Sequence, residues 1–304
     1  MKTRTLVLSL SASSQSRPAF RRRPGLPHLA GAGGLAILVS LSILAAWPSG
    51  LAPYDPTLTV GRPLQKPNPE FRLGTNDIGQ DLLSELIWGT RISLGTGLIV
   101  ATLAVVIGTA VGLAAGYTNN LFSGILMRLA DLTLVLPFLP LVILLSAYLG
   151  QSQRNVILIL TLVSWAGPAR LIRAQVLSLV NERFVEAARA MGADRVRILI
   201  DHILPGVASI AGLQFVLVAA SSILAEASLS FLGLGNPTAK SWGVMLYFAR
   251  ASGAFLGESW RWWVLPAGVM ITLSVLSLVL IGFALEQRFE PGARGRWNLL
   301  RRGS

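Results

Sequence analysis

The sequence predicts an all-α membrane protein with six spanning helices. Three observations carry that prediction. Of 304 residues, 53% are hydrophobic and only 13% charged, about half the charged share of a soluble domain. The apolar residues gather into runs of roughly 20, the length that crosses a hydrocarbon core. The net charge of +12 comes from arginines set between those runs, a distribution that suits membrane topology better than nucleic-acid binding. The absence of cysteine excludes disulfides, thiolate metal sites and Cys nucleophiles.

Residues 1–28 read as a disordered basic cytoplasmic tail ending in Arg21-Arg22-Arg23. Thr5–Ala12 after Lys2 and Arg4 is too short and too serine-rich for a signal-peptide core. The first span is Leu29–Trp47, closed by Pro48, within a segment 29–52. Residues 53–91 are expected outside. There the proline-rich Pro53–Gly74 should be extended, and Leu73–Gly89 should form an amphipathic helix along the membrane surface, with Leu82, Leu83, Leu86 and Ile87 on one face. Residues 92–286 hold five more spans. They are Ile92–Ala115; Ile125–Leu149, with Asp131, Pro137 and Pro140; Asn155–Ile172, which Pro168 should kink; Gly206–Leu232, with Glu226; and Trp263–Leu285. The outside segment Gly233–Trp262 carries Trp242, Trp260 and Trp262, a headgroup-seeking residue type. A cytoplasmic tail, 287–304, ends the chain.

With the N-terminus inside, 18 of the 26 Lys and Arg fall in cytoplasmic pieces and 8 outside. The positive-inside rule therefore puts both termini and the loop 181–205 in the cytoplasm. That loop is the most informative stretch. Phe184, Ala187, Ala188 and Met191 recur at i, i+3, i+4 and i+7, one small apolar stripe. Glu186 can pair with Arg183 or Arg189. Gly192 suits a left-handed helix end, and Asp194 can cap a second helix, Arg195–Leu204, that Pro205 should stop. Two small alanines beside an apolar stripe favour close docking in a groove of another protein over lipid binding.

The string Glu186-Ala187-Ala188, Gly192, Leu204-Pro205 resembles the cytoplasmic loop of ABC importer permeases. The resemblance extends through Trp165…Leu179, Leu73…Leu94 and Glu226–Gly235, which look like the corresponding runs of dipeptide, oligopeptide and nickel-type permeases. It implies the type I importer fold and a second permease subunit akin to the smaller one of dipeptide systems. The implied ATPase-coupling residues are Phe184, Glu186, Ala187, Ala188, Arg189, Met191, Gly192, Leu204 and Pro205. The implied partners are a homologous permease, two ATP-binding cassette ATPases and an extracytoplasmic solute-binding protein, in a prokaryotic plasma membrane. Peptides or similar small solutes are the implied cargo, with nickel or another non-peptide solute as the alternative. Departures occur at Gln80 and Glu85, where arginine is usual, and at Asp201 and Gly206.

Other chemistry finds little support. A G-x-x-x-x-G-K-[ST] phosphate loop is absent, so ATP hydrolysis belongs to a partner, and no cofactor, metal or catalytic residue is expected in this chain. Asp77, Asp81 and Glu85 lack the glycine and glutamate spacing of a calcium loop; capping and pairing with Arg91 explain them better. An intramembrane hydrolase would need a nucleophile and base inside the bilayer, and neither histidine, His28 or His202, lies well inside a span. An autonomous ion-coupled transporter would need several buried acids. Glu226 is the one carboxylate deep in a span, so it lines the pathway or makes a structural hydrogen bond.

Overall fold

The computed structural model describes residues 26–118 and 120–289. The expected terminal tails fall largely outside them. Among the described residues the regular structure is helical, apart from one isolated bridge between Thr75 and Asp81. Five runs are long and apolar enough to cross a membrane: His28–Ala46, Leu82–Tyr117, Gln153–Val180, Arg195–Phe231 and Glu258–Gln287. A pair of helices, Leu121–Val135 and Phe138–Leu149, bent by 97°, passes the same test when taken together and occupies the place of the expected third span.

In chain order the helices are α1 (Leu26–Ala46), the single turn α2 (Pro48–Leu51), α3 (Leu82–Tyr117), α4 (Leu121–Val135), α5 (Phe138–Leu149), α6 (Gln153–Ser164) and α7 (Ala166–Val180). There follow α8 (Arg183–Ala190), α9 (Arg195–Ile198), a π turn (Leu199–Ile203), α10 (Leu204–Phe231), α11 (Trp242–Ala251) and α12 (Val264–Phe289). Helix α3 is the centre, with α1, α7, α10 and α11 packed around it. Its contact with α7 runs along Gly108, Gly112 and Gly116, spaced i, i+4, i+8. A Cβ at Gly112 would come within 2.7 Å of the Ala169 carbonyl oxygen, and one at Gly108 within 2.7 Å of that of Trp165. Close backbone approach across small residues is how spanning helices gain packing energy where lipid supplies no hydrophobic drive.

Proline chemistry breaks the third span and, as expected at Pro168, interrupts the fourth. The third span breaks at Leu136-Pro137. Leu136 is forced to extended backbone, φ −72° and ψ 137°, by the ring that follows it. Pro137 and Pro140 then offer no N–H to continue the α4 ladder. In the fourth span the interruption falls at Trp165, one turn before Pro168, whose missing N–H would have bonded Ser164.

Two expectations are corrected. Pro205 does not stop the helix before it: the run Arg195–Phe231 is continuous. The π turn, in which the Leu204 N–H reaches back to the Leu199 carbonyl, widens the helix just where the proline ring would strike the Asp201 carbonyl. Of the expected surface helix Leu73–Gly89, residues 82–89 belong to the second span and residues 73–81 are turns and a bridge rather than helix. Helix α3 runs 36 residues, about 54 Å, from its Asp81 cap, which accepts from the Ser84 N–H at 2.8 Å. Leu82, Leu86 and Ile87 are buried by the chain itself, so that face meets protein and not lipid.

Residues 53–81 also fold back on themselves. The Leu64 N–H donates to the Asn76 carbonyl at 2.9 Å and the Thr75 N–H to that of Gln65 at 3.1 Å. Glu85 does not pair with Arg91, which is exposed. Its partner is Lys240, whose Nζ donates to Glu85 Oε1 and to Gln80 Oε1, each at 2.6 Å. The two positions that depart from the usual arginines therefore share one lysine, brought in from the segment before α11.

Candidate functional site

The loop 181–203 is a helix, an elbow and a second helix on a fixed base. Helix α8 ends at Met191 in a full Schellman arrangement. The Ala193 N–H donates to the Ala188 carbonyl at 3.1 Å, and the Gly192 N–H to that of Arg189 at 3.0 Å. Gly192 holds φ +85°, the left-handed conformation that costs other residues about 1–2 kcal/mol. Asp194 starts α9 by accepting from the Arg197 N–H at 2.7 Å. The base is a cluster of Ile172, Val176, Val185, Ala188, Ile198, Ile203 and Val207, all buried. It ties the loop to the ends of α7 and α10.

This packing divides the stripe seen in the sequence. Ala188 is 3% exposed and Val185 fully buried, so α8 sits on its base through those two residues. Phe184, Ala187 and Met191 face away, with Phe184 48% and Met191 82% exposed. Ala188 is therefore an anchor of the loop and not part of its free face. Val185 is the second anchor, which the sequence reading passed over; a Val at i−3 from a buried Ala is the available signal. Phe184 packs edge-on against His202, ring centroids 6.0 Å apart, which gives His202 a packing role. Glu186 is exposed, and among the described residues it makes no ion pair with Arg183 or Arg189. Leu204 and Pro205 are exposed at the start of α10. Arg189 turns toward the α3–α4 connection, lining with Arg195 a cleft of about 670 Å³.

Glu226 lies apart from the loop, toward the far end of α10, and is 1% exposed. Ser230 Oγ donates to its Oε1 at 2.8 Å and Ser93 Oγ, on α3, to its Oε2 at 3.2 Å. Ser93 in turn accepts from the Trp242 N–H at 3.2 Å. The carboxylate thus links α10, α3 and α11, the arrangement of a structural hydrogen bond inside a helix bundle.

Helices long and apolar enough to cross a membrane, with a helix–elbow–helix carried at one end, are the architecture of a multi-pass membrane protein. The chain belongs to the binding-protein-dependent transport system inner membrane component family, which residues 108–295 match. It is similar to the di/tripeptide transport system permease protein DppC of Pseudomonas aeruginosa, 36% identical over 85% of this chain and 87% of that one. It is also similar to the glutathione transport system permease protein GsiD of Pectobacterium atrosepticum, 36% identical over 90% of each. The dipeptide transport system permease protein DppC of Alkalihalophilus pseudofirmus is 35% identical over 85% and 84%. The chain is a multi-pass membrane permease.

Proposed function

We propose that this permease forms half of the translocation pathway of an ATP-driven importer for short peptides, with both termini and the 181–203 loop in the cytoplasm. A homologous permease supplies the other half, two ATPase subunits supply the energy, and an extracytoplasmic binding protein delivers the solute. The relatives bear di/tripeptide, dipeptide and glutathione names, and all of these cargoes are small peptides. That supports peptides over nickel.

The observation that carries the coupling role is the free face of α8. Phe184, Ala187 and Met191 are apolar, exposed and mounted on a rigid base, the form of a helix that seats in a groove of another protein. Motion of the ATPase pair would pass through Val185 and Ala188 into α7 and α10 as a rigid-body shift. The test is uptake in proteoliposomes holding the complete complex, with ATP inside and loaded binding protein outside. Uptake of labelled di- or tripeptides that needs both supports the proposal. Uptake that needs neither, or transport of nickel but not of peptides, refutes it.

A further inference from the structure

The cleft beside the loop is basic. Tyr117, Thr118 and Asn120 line it from the neighbouring ends of α3 and α4, and Arg189, Ala193 and Arg195 from the loop. No carboxylate is among these residues. Asn120 spends its side-chain oxygen on the Ser123 N–H at 2.9 Å, which leaves its amide group to donate. Neither Arg189 nor Arg195 has an ion-pair partner among the described residues. Arg197, on the same helix as Arg195, does: it meets Asp201 at 3.4 Å. Two arginines without an ion-pair partner among the described residues thus line one space, from opposite sides of the Gly192 elbow.

The setting narrows the anion. Next to Asn120, Leu121 and Phe122 are 83% and 61% exposed at the start of α4, apolar side chains that belong against lipid. With the loop cytoplasmic, as proposed above, the cleft is on the side of the leaflet that carries anionic lipid, where basic pockets between helices take phosphate headgroups. A volume of about 670 Å³ is large enough for a glycerophosphate headgroup, well beyond a bare phosphate ion. We infer that this cleft binds the phosphodiester of an anionic phospholipid, which bridges the α3–α4 connection to both arms of the coupling loop.

The permease is purified with its accompanying subunits, delipidated, and titrated with phosphatidylglycerol or phosphatidylcholine. Native mass spectrometry reads binding on the permease itself, so the result does not depend on whether an ATPase copurifies. Phosphatidylglycerol should bind and phosphatidylcholine should not. Arg189→Gln and Arg195→Gln should each weaken binding about fivefold, whereas Arg197→Gln should not, since Arg197 is outside the cleft lining and paired with Asp201. All three variants elute as the wild type in size exclusion if folded, as expected for exposed side chains. Equal binding by wild type, Arg189→Gln and Arg195→Gln overturns the site. Displacement of the lipid by millimolar inorganic phosphate makes it a free-anion site and overturns the lipid assignment. Loss of the ATPase from the two variants with lipid binding intact gives the cleft to an acidic side chain of that partner, which also overturns the inference.

Discussion

Lys240→Met would leave Glu85 as an unpaired carboxylate in a protein interior. The Glu85 side chain is 5% exposed and that of Lys240 19%, with Nζ and Oε1 2.6 Å apart. Removing one partner of a buried pair costs about 3–5 kcal/mol, because the charge left behind stays desolvated. Glu85 would keep one donor, Asn76 Nδ2 at 3.1 Å, which puts the cost near the lower end, about 3 kcal/mol. For a chain of this size that corresponds to an apparent Tm lower by about 5 °C. The double variant Lys240→Met with Glu85→Leu removes the stranded charge and should recover about 2 kcal/mol of the loss. The assay is thermal unfolding of the detergent-purified protein, followed by tryptophan fluorescence, since Trp242 lies two residues from Lys240 and donates its ring N–H to the Leu86 carbonyl at 3.1 Å. A single variant as stable as wild type, or a double variant no better than the single, would refute the claim that this pair clamps α3 to the segment before α11.

Three further outcomes are expected. Gly112→Leu should abolish the folded, detergent-stable peak in size exclusion, because its Cβ meets the Ala169 carbonyl and Ile172; Gly95→Leu, whose Cβ has nothing within 4 Å, should leave the peak intact. Glu226→Gln should assemble and transport nearly as wild type, since the amide oxygen can still accept from Ser230 while the amide N–H donates to Ser93 Oγ; transport loss in an assembled variant would move Glu226 onto the pathway. The chain has no cysteine, so single cysteines report topology: Thr59→Cys should react with an impermeant thiol reagent on intact spheroplasts and Asn181→Cys only after permeabilisation, the reverse pattern contradicting the orientation.

Much of this was legible in the residues. Run length and charge gave the spans, and Gly192 and Asp194 announced the elbow and cap that the backbone adopts. What was not legible depends on tertiary partners. A proline in a spanning run tells of a break but not its form: Pro137 makes a sharp bend, while Pro205 is absorbed by a π turn that depends on the five residues before it. The face of Leu82, Leu86 and Ile87 has the same period whether lipid or protein covers it. Burial of Ala188 and exposure of Ala187 differ by about 100° of helix rotation, and only the base formed by Ile172, Ile198 and Ile203 decides between them. The glycine triplet at 108, 112 and 116 was readable as a close-packing motif and passed unread.

The exposure of Ala187 beside the buried Ala188 gives the most direct test of coupling. Ala187→Trp adds bulk to the free face of α8 and leaves the buried base untouched. Tagged wild-type permease should retain its sister permease and the ATPase subunits through purification. Ala187→Trp should retain the sister permease, keep the wild-type melting temperature, and lose the ATPase together with its solute-stimulated ATP turnover. Full retention of the ATPase, with normal stimulated turnover, would contradict the assignment of this face as the coupling surface.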